Sequence, residues 1–274
     1  MPTKVDTPSA LFLFAHQDDE FGVFAAIEQA VHAGRRVVCV YATDGAVTAD
    51  PERREAESLA VLARLGVARQ DVLFLGRQLA IGDGQLHRHL DTLGDGLAGF
   101  LNQHPRLQVC FVPAWEGGHP DHDLLHAVAV EVLAKRAPAL SVWQYPLYNG
   151  DHCRGVFFRP LTPLSENGPV QRTTIGWPAR LRYLRLCLAY PSQWRTWIGL
   201  FPFVGLHYLC RGVQQLQPVD RLRLLQPPHA RPLYYERRAF LDWPTLSAAL
   251  ACWKDRMTLD EAAHATAKDL VDDA

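Results

Sequence analysis

Residues 15–20 read Ala-His-Gln-Asp-Asp-Glu directly after the apolar run at 11–14, and a second apolar run, Leu107 to Val112, leads into His119-Pro120-Asp121-His122. His16, Asp18, Asp19 and Glu20 crowd three acids and an imidazole onto one turn, where mutual repulsion calls for a nearby cation. Imidazole and carboxylate are ligands for zinc, and a carboxylate left over beside such a site can take a proton from water. The pattern therefore predicts a metal-dependent hydrolase. Glu20 is read as a helix-start acid favoured by the positive N-terminal end. Asp123 is read the same way, and His126 as a residue that packs on its helix.

Such chemistry needs elements that bring two distant turns together. Short apolar runs at 11–15, 36–42, 72–75, 107–112 and 141–145 read as strands, and helical spacing follows at 20–32, from Pro51 to Gly66, at 87–102 and at 121–137. Asp50-Pro51 is an N-cap with proline at the first helical position. Strands alternating with helices predict an α/β, Rossmann-like three-layer α/β/α domain with a mostly parallel sheet. With the strand order 3-2-1-4-5, the first and fourth strands are neighbours and both clusters fall in the crevice at their C-terminal ends, where ligands bind in such sheets. HQDDE stands where a dinucleotide-binding fold carries glycines, and its carboxylates would repel a pyrophosphate.

At 274 residues, 48% hydrophobic and 21% charged, the chain is long and apolar enough for a full core. Its six cysteines lack a CxxC pair and read as reduced, mostly buried thiols. The first residues carry no long apolar segment, so a cytoplasmic location is expected. The apolar stretch 197–210 contains Pro202 and His207 and falls short of the roughly 20 residues a helix needs to span a bilayer. Charge is uneven: residues 151–240 hold thirteen arginines and no lysine against four acids, although the whole chain has a net charge of −1. The chain is accordingly divided into a core at 1–150 and a cationic C-terminal cap at 151–274.

The paired motifs AHQDDE and HPDH resemble the PIG-L/LmbE-like family of zinc-dependent N-deacetylases, over roughly residues 10–150. Thr43-Asp44-Gly45, Arg54, Glu57, Leu65 and Gly66 fit the same resemblance. It implies His16, Asp19 and His122 as metal ligands and Asp18 as the general base. His119 would stabilise the oxyanion, with Asp121 holding its ring and favouring the imidazolium. Zinc is the implied metal, and iron(II) fits the same ligand set. The substrate would be an N-acetylated sugar or glycoconjugate. Two positions depart from the family pattern: Gln17 replaces a proline, and Gly117 stands where some members carry a tyrosine that polarises the carbonyl.

The ligand set alone also suits non-haem iron oxygenases, but their triads usually sit in β-barrels. The rival functional class is a carbohydrate-binding or scaffold protein that retains the pocket. Arg54 and Glu57 share a helix face and pair with each other or with nearby groups, with substrate binding as the other role open to Arg54. In the C-terminal region, 179–189 spaces leucine and arginine as an amphipathic helix with a solvated arginine face. Its cations, with the apolar 197–208, fit an anionic or lipid-linked substrate and peripheral membrane contact. No nucleic-acid motif accompanies them, and the oligomeric state is left open.

Overall fold

The structure, a computed structural model, describes residues 8–46 and 50–272. Residues 1–7, inspected above for a leader, lie outside the described residues. The first half runs β1 (Ser9–Phe14), α1 (Phe24–His32), β2 (Arg36–Tyr41), α2 (Pro51–Arg64), β3 (Val72–Phe74), α3 (Leu75–Gln78), α4 (Leu90–Gln103), β4 (Leu107–Pro113), α5 (Pro120–Arg136) and β5 (Ser141–Tyr145). Then follow β6 (Tyr148–Asn149), β7 (Arg159–Pro160), β8 (Gln171–Thr174), α6 (Trp177–Cys187), α7 (Trp194–Leu206), β9 (Val213–Pro218), α8 (Tyr234–Arg237) and α9 (Trp243–Asp272).

Seven strands form one sheet in the order β3-β2-β1-β4-β5-β9-β8. The first five are parallel in the anticipated order, and β9 and β8 extend the sheet antiparallel beyond β5. The sheet thus runs on past residue 150 and draws two strands from the cationic region. β1 is apolar from Ala10 to Phe14 because both its faces are covered. Leu11 and Leu13 face a core completed by α4, α5 and α9, whereas Ala10, Phe12 and Phe14 face one completed by α1, α2, α6 and α7.

The C-terminal region is fastened to the first motif. Tyr208 donates its hydroxyl to the Phe21 carbonyl (2.9 Å), Gln214 donates to the Gly22 carbonyl (2.7 Å), and Trp197 meets the Phe21 ring edge-on. The arginine face of α6 is only partly solvated. Arg182 pairs with Glu28 and Arg180 donates to the Ile175 carbonyl, leaving Arg185 exposed. The cysteines are free, but three of the six are buried, Cys153 is half-buried, and Cys210 and Cys252 are exposed. Among the described residues no helix is long and apolar enough to cross a membrane.

Two stability predictions arise here. A Cβ on Gly76 would lie 2.3 Å from the Thr43 Cα and 2.4 Å from the Ala42 carbonyl, a backbone clash no rotamer relieves. Gly76→Ala should therefore cost about 3 kcal/mol and lower Tm by roughly 6–12 °C in a thermal melt; an unchanged melt would contradict this packing. Glu131 on α5 accepts from Lys254 of α9 (3.0 Å) and Arg221 (2.6 Å). Burial would raise its carboxyl, but these two cations hold it below the ordinary value. A depressed acid stabilises above its unfolded pKa, about 4.3, and loses that contribution as pH falls through the folded value. Protection of the α9 amides around Lys254, taken relative to the intrinsic exchange rate at each pH, should fall as pH drops below that range, and Glu131→Gln should remove this fall.

Candidate metal centre and active site

The turn after β1 reverses so sharply that Asp18 adopts φ 124°, ψ −11°. For a residue with a Cβ this costs roughly 1–3 kcal/mol and persists only where neighbours enforce it. The Asp18 N–H donates to Glu20 Oε2 (2.8 Å), while Arg54, reaching in from α2, donates to the Gln17 carbonyl (2.5 Å) and to Asp18 Oδ1 (3.3 Å). Glu20 is fully buried and receives the Tyr41 and Tyr190 hydroxyls, so it braces the turn rather than merely favouring a helix dipole. Gln17 lays its amide against the Thr43-Gly45 turn, donating to the Thr43 carbonyl (3.4 Å). Gly45, at φ 66°, sits in the left-handed region that favours glycine, and a Cβ there would displace the Gln17 amide.

The second cluster opens α5. The His119 Nδ1 caps the helix by accepting the Asp121 N–H (3.3 Å), with Pro120 at the first helical position. Asp123 turns back to receive the Glu116 and Gly117 N–H groups, which clamps the loop after β4. His126 packs through Nδ1 against the Pro113 carbonyl (2.7 Å), a structural role.

Because β1 and β4 are adjacent, three donor atoms converge. His16 Nδ1 lies 3.2 Å from His122 Nε2, His122 Nε2 lies 3.1 Å from Asp19 Oδ1, and His16 Nδ1 lies 3.6 Å from Asp19 Oδ2. A tetrahedral zinc site with bonds near 2.1 Å has ligand edges of about 3.4 Å, so the residues fit a single such ion. Two imidazole nitrogens facing each other at 3.2 Å can share at most one proton, which leaves a lone pair for a metal. Two further triads also meet at His16, one with His119 and His122 and one with Asp83 and Asp121. We favour the set containing Asp19, because the other ring nitrogen of His16 already faces Asp83 (3.1 Å) and Asp121 (3.2 Å). A carboxylate on the far nitrogen fixes the tautomer of a ligating histidine and raises its basicity.

Charge in the site follows from this packing. Burial would lower the His16 imidazole, but Asp83 and Asp121 hold it well above its ordinary value. Burial would likewise raise Asp19, yet the adjacent His122 and His16 hold it below the usual carboxylate range. Asp18 goes the other way: burial lifts its carboxyl, and Arg54 only partly offsets this. His119 is lowered to about 4, first by burial and then by neighbouring His16. This direction runs against the imidazolium form anticipated for His119. The Asp121 carboxylate acts on it only through space; its hydrogen bonds come from the Gly84 N–H (2.6 Å), the Leu86 N–H (3.3 Å) and His16.

Asp83 is the member sequence reasoning missed. It touches His16 and, at 3.5 Å, Arg54, and its place between Gly82 and Gly84 was the available signal. Arg54 does not pair with Glu57; Glu57 instead receives Ser192 and Arg53. Gly117, at φ 69°, leaves no room for a side chain, because a Cβ would meet Leu233 at 2.9 Å.

The site opens into a cavity of about 660 Å³. His16, Asp18, Asp19, Arg54 and His119 form its polar floor. Tyr148, stacked on the His122 ring, joins Phe158, Phe203 and Phe240 in an aromatic wall, and Arg195 and Arg238 lie among them.

Comparison with known proteins places this geometry. Residues 11–133 match the family model described as PIG-L: GlcNAc-PI de-N-acetylase. Similar solved structures include the zinc-inhibited form of teicoplanin deacetylase Orf2, at 17% identity and TM-score 0.59, covering 77% of this chain and 98% of that one. N,N'-diacetylchitobiose deacetylase from Pyrococcus horikoshii aligns at 16% identity and TM-score 0.56, covering 83% and 88%. The 4-carboxy-2-hydroxymuconate hydratase GalB from Pseudomonas putida aligns at 15% identity and TM-score 0.50, covering 82% and 99%. At these identities the likeness establishes the fold and leaves the reaction to the site itself. No curated protein matches the sequence.

Proposed function

Residues 11–133 of this chain form a PIG-L-family domain, and from that premise we propose that it is a metal-dependent N-deacetylase of amino sugars or glycoconjugates. The observation that carries this reading is the convergence of His16, Asp19 and His122 beside a buried carboxylate, Asp18, that is not part of the triad. The solved deacetylases named above, one of teicoplanin and one of diacetylchitobiose, support the substrate class. A binding or scaffold protein would have no use for Asp18 held in a strained backbone conformation.

His16 Nδ1, His122 Nε2 and an Asp19 oxygen would hold the ion, zinc or iron(II). Such an ion supplies Lewis acidity toward water and the amide carbonyl. Asp18 takes the proton of the attacking water and returns it to the departing amine nitrogen. Its raised affinity for a proton suits both halves of that exchange. Glu20 and Arg54 keep its carboxylate aimed at the cavity. His119 accepts a backbone N–H at Nδ1, so the neutral ring carries its proton at Nε2. That N–H is the donor for the carbonyl oxygen as negative charge develops there. Asp121 and Asp83 orient His16. Residues 151–274 complete the wall, where Arg195 and Arg238 among aromatic rings suit a substrate bearing an anionic or apolar group next to its sugar.

The test is release of free amine and acetate from a panel of N-acetyl amino sugars, nucleotide sugars and lipid-linked sugars by the metal-loaded protein. A loaded protein that releases amine from none of them would refute the reading. Arg54 is assigned to positioning of Asp18 rather than to substrate. Arg54→Met should lower kcat about tenfold with KM nearly unchanged; a rise in KM at constant kcat would return Arg54 to substrate binding.

A further inference from the structure

We propose that the α6–α7 helix pair is a docking face for an anionic lipid bilayer, seated beside the mouth of the catalytic cavity. Trp194, Ile198 and Leu206 recur at multiples of four residues along α7, which places them on one side of the helix. They are 56%, 66% and 61% exposed. Trp177 and Leu181 share one side of α6, and they and Leu188, which caps its C-terminal end, are exposed as well. Between these stripes Leu184 packs against Gly205, its Cδ2 3.8 Å from where a Cβ on that glycine would lie, so the two sides join into one surface.

The surface reaches the cavity. On its neighbouring sides α7 buries Trp197 and Leu200 and presents Thr196, Gly199 and Phe203 to the cavity, so one helix serves both. Val156 and Phe157, exposed at 61% and 62%, continue the apolar rim across the mouth.

Charge selects the occupant. Residues 177–211 contain five arginines and no acid or lysine, and Arg185, Arg195 and Arg211 are exposed. Apolar side chains that enter the acyl boundary, tryptophans at the headgroup level and guanidinium groups on phosphates form the pattern of an interfacial helix. A second copy of this face would set arginine against arginine with no acid in the segment to relieve them.

The test is flotation of the metal-loaded full chain with phosphatidylcholine vesicles, with and without phosphatidylglycerol. The chain should float with the phosphatidylglycerol vesicles, and salt should weaken the association. Ile198→Glu with Leu206→Glu, and separately Leu181→Glu, should each cut the bound fraction about tenfold, with an unchanged melting temperature and unchanged turnover of a soluble N-acetyl sugar. The proposal is overturned if wild-type protein does not float with phosphatidylglycerol vesicles, or if the variants bind as well as it does. It is equally overturned if sedimentation shows a wild-type dimer that Leu181→Glu converts to monomer, which would assign the face to a second copy. Vesicle binding and amide turnover are read separately, so failure of one leaves the other reading intact.

Discussion

Asp18→Asn should lower kcat for amide hydrolysis by roughly 10²–10⁴-fold while the bound metal, measured by elemental analysis, stays at the wild-type level. Asparagine is the informative substitution because it keeps the size of the side chain and is among the few residues that tolerate positive φ. The strained turn at φ 124° therefore survives, and Arg54 can still meet the side-chain oxygen. What disappears is the ability to take a proton and give it back. The contrast with Arg54→Met is instructive: there the base remains and only its aim is relaxed, so the loss is smaller. Full activity in Asp18→Asn would remove Asp18 from the mechanism, and loss of metal in that variant would make it a ligand.

The second large effect should come from the donor triad itself. His122→Ala deletes one of three converging donor atoms and leaves His16 Nδ1 and Asp19 without their common neighbour. Metal content should fall well below one ion per chain, and turnover should drop by at least about 10³-fold. Chelation of the wild-type protein should give the same loss, restored by adding back zinc or iron(II). The variant should not be restored at metal concentrations that suffice for wild type. Undiminished turnover in metal-free protein would exclude this chemistry. Normal metal content in His122→Ala would move the site to the rival triad of His16 with Asp83 and Asp121, the one that does without His122.

The parallel half of the sheet was legible because its cause is local. A strand covered on both faces is apolar along its buried stretch; β1 and β2 announce themselves in that way over 10–14 and 37–41, and β4 does so only from Val109 onward, past its exposed Gln108. Helices alternating with strands point to a parallel sheet without fixing its order; the order assumed for it, β3-β2-β1-β4-β5, is the one found, and it brings the two motifs together. β8 and β9 were hidden for the converse reason. Gln171–Thr174 is polar because it is a largely exposed edge strand, and Val213–Pro218 is rich in glutamine because its buried glutamines bond to loop carbonyls, Gln215 to Leu161 and Gln217 to Leu164. Their side chains pay no regard to a two-residue apolar alternation. α9 also escaped notice, since a few buried residues, Leu246, Leu250 and Trp253, hold its first turns to α4 and α5.

Residue identity and spacing carried the donor chemistry: which imidazoles and carboxylates could meet, and that one acid would be left over. Those are properties of side-chain type at the ends of strands, and they need no long-range coordinates beyond strand adjacency. The division of labour among the acids could not be read in this way. Asp121 serves His16 rather than His119 because the 84–86 loop closes over it. Glu20 braces a strained turn because two tyrosines from distant segments bury it, and Asp83 joins because its glycine-flanked loop folds back onto His16. Each of these roles depends on desolvation and on partners remote in sequence, and those exist only once the chain has packed.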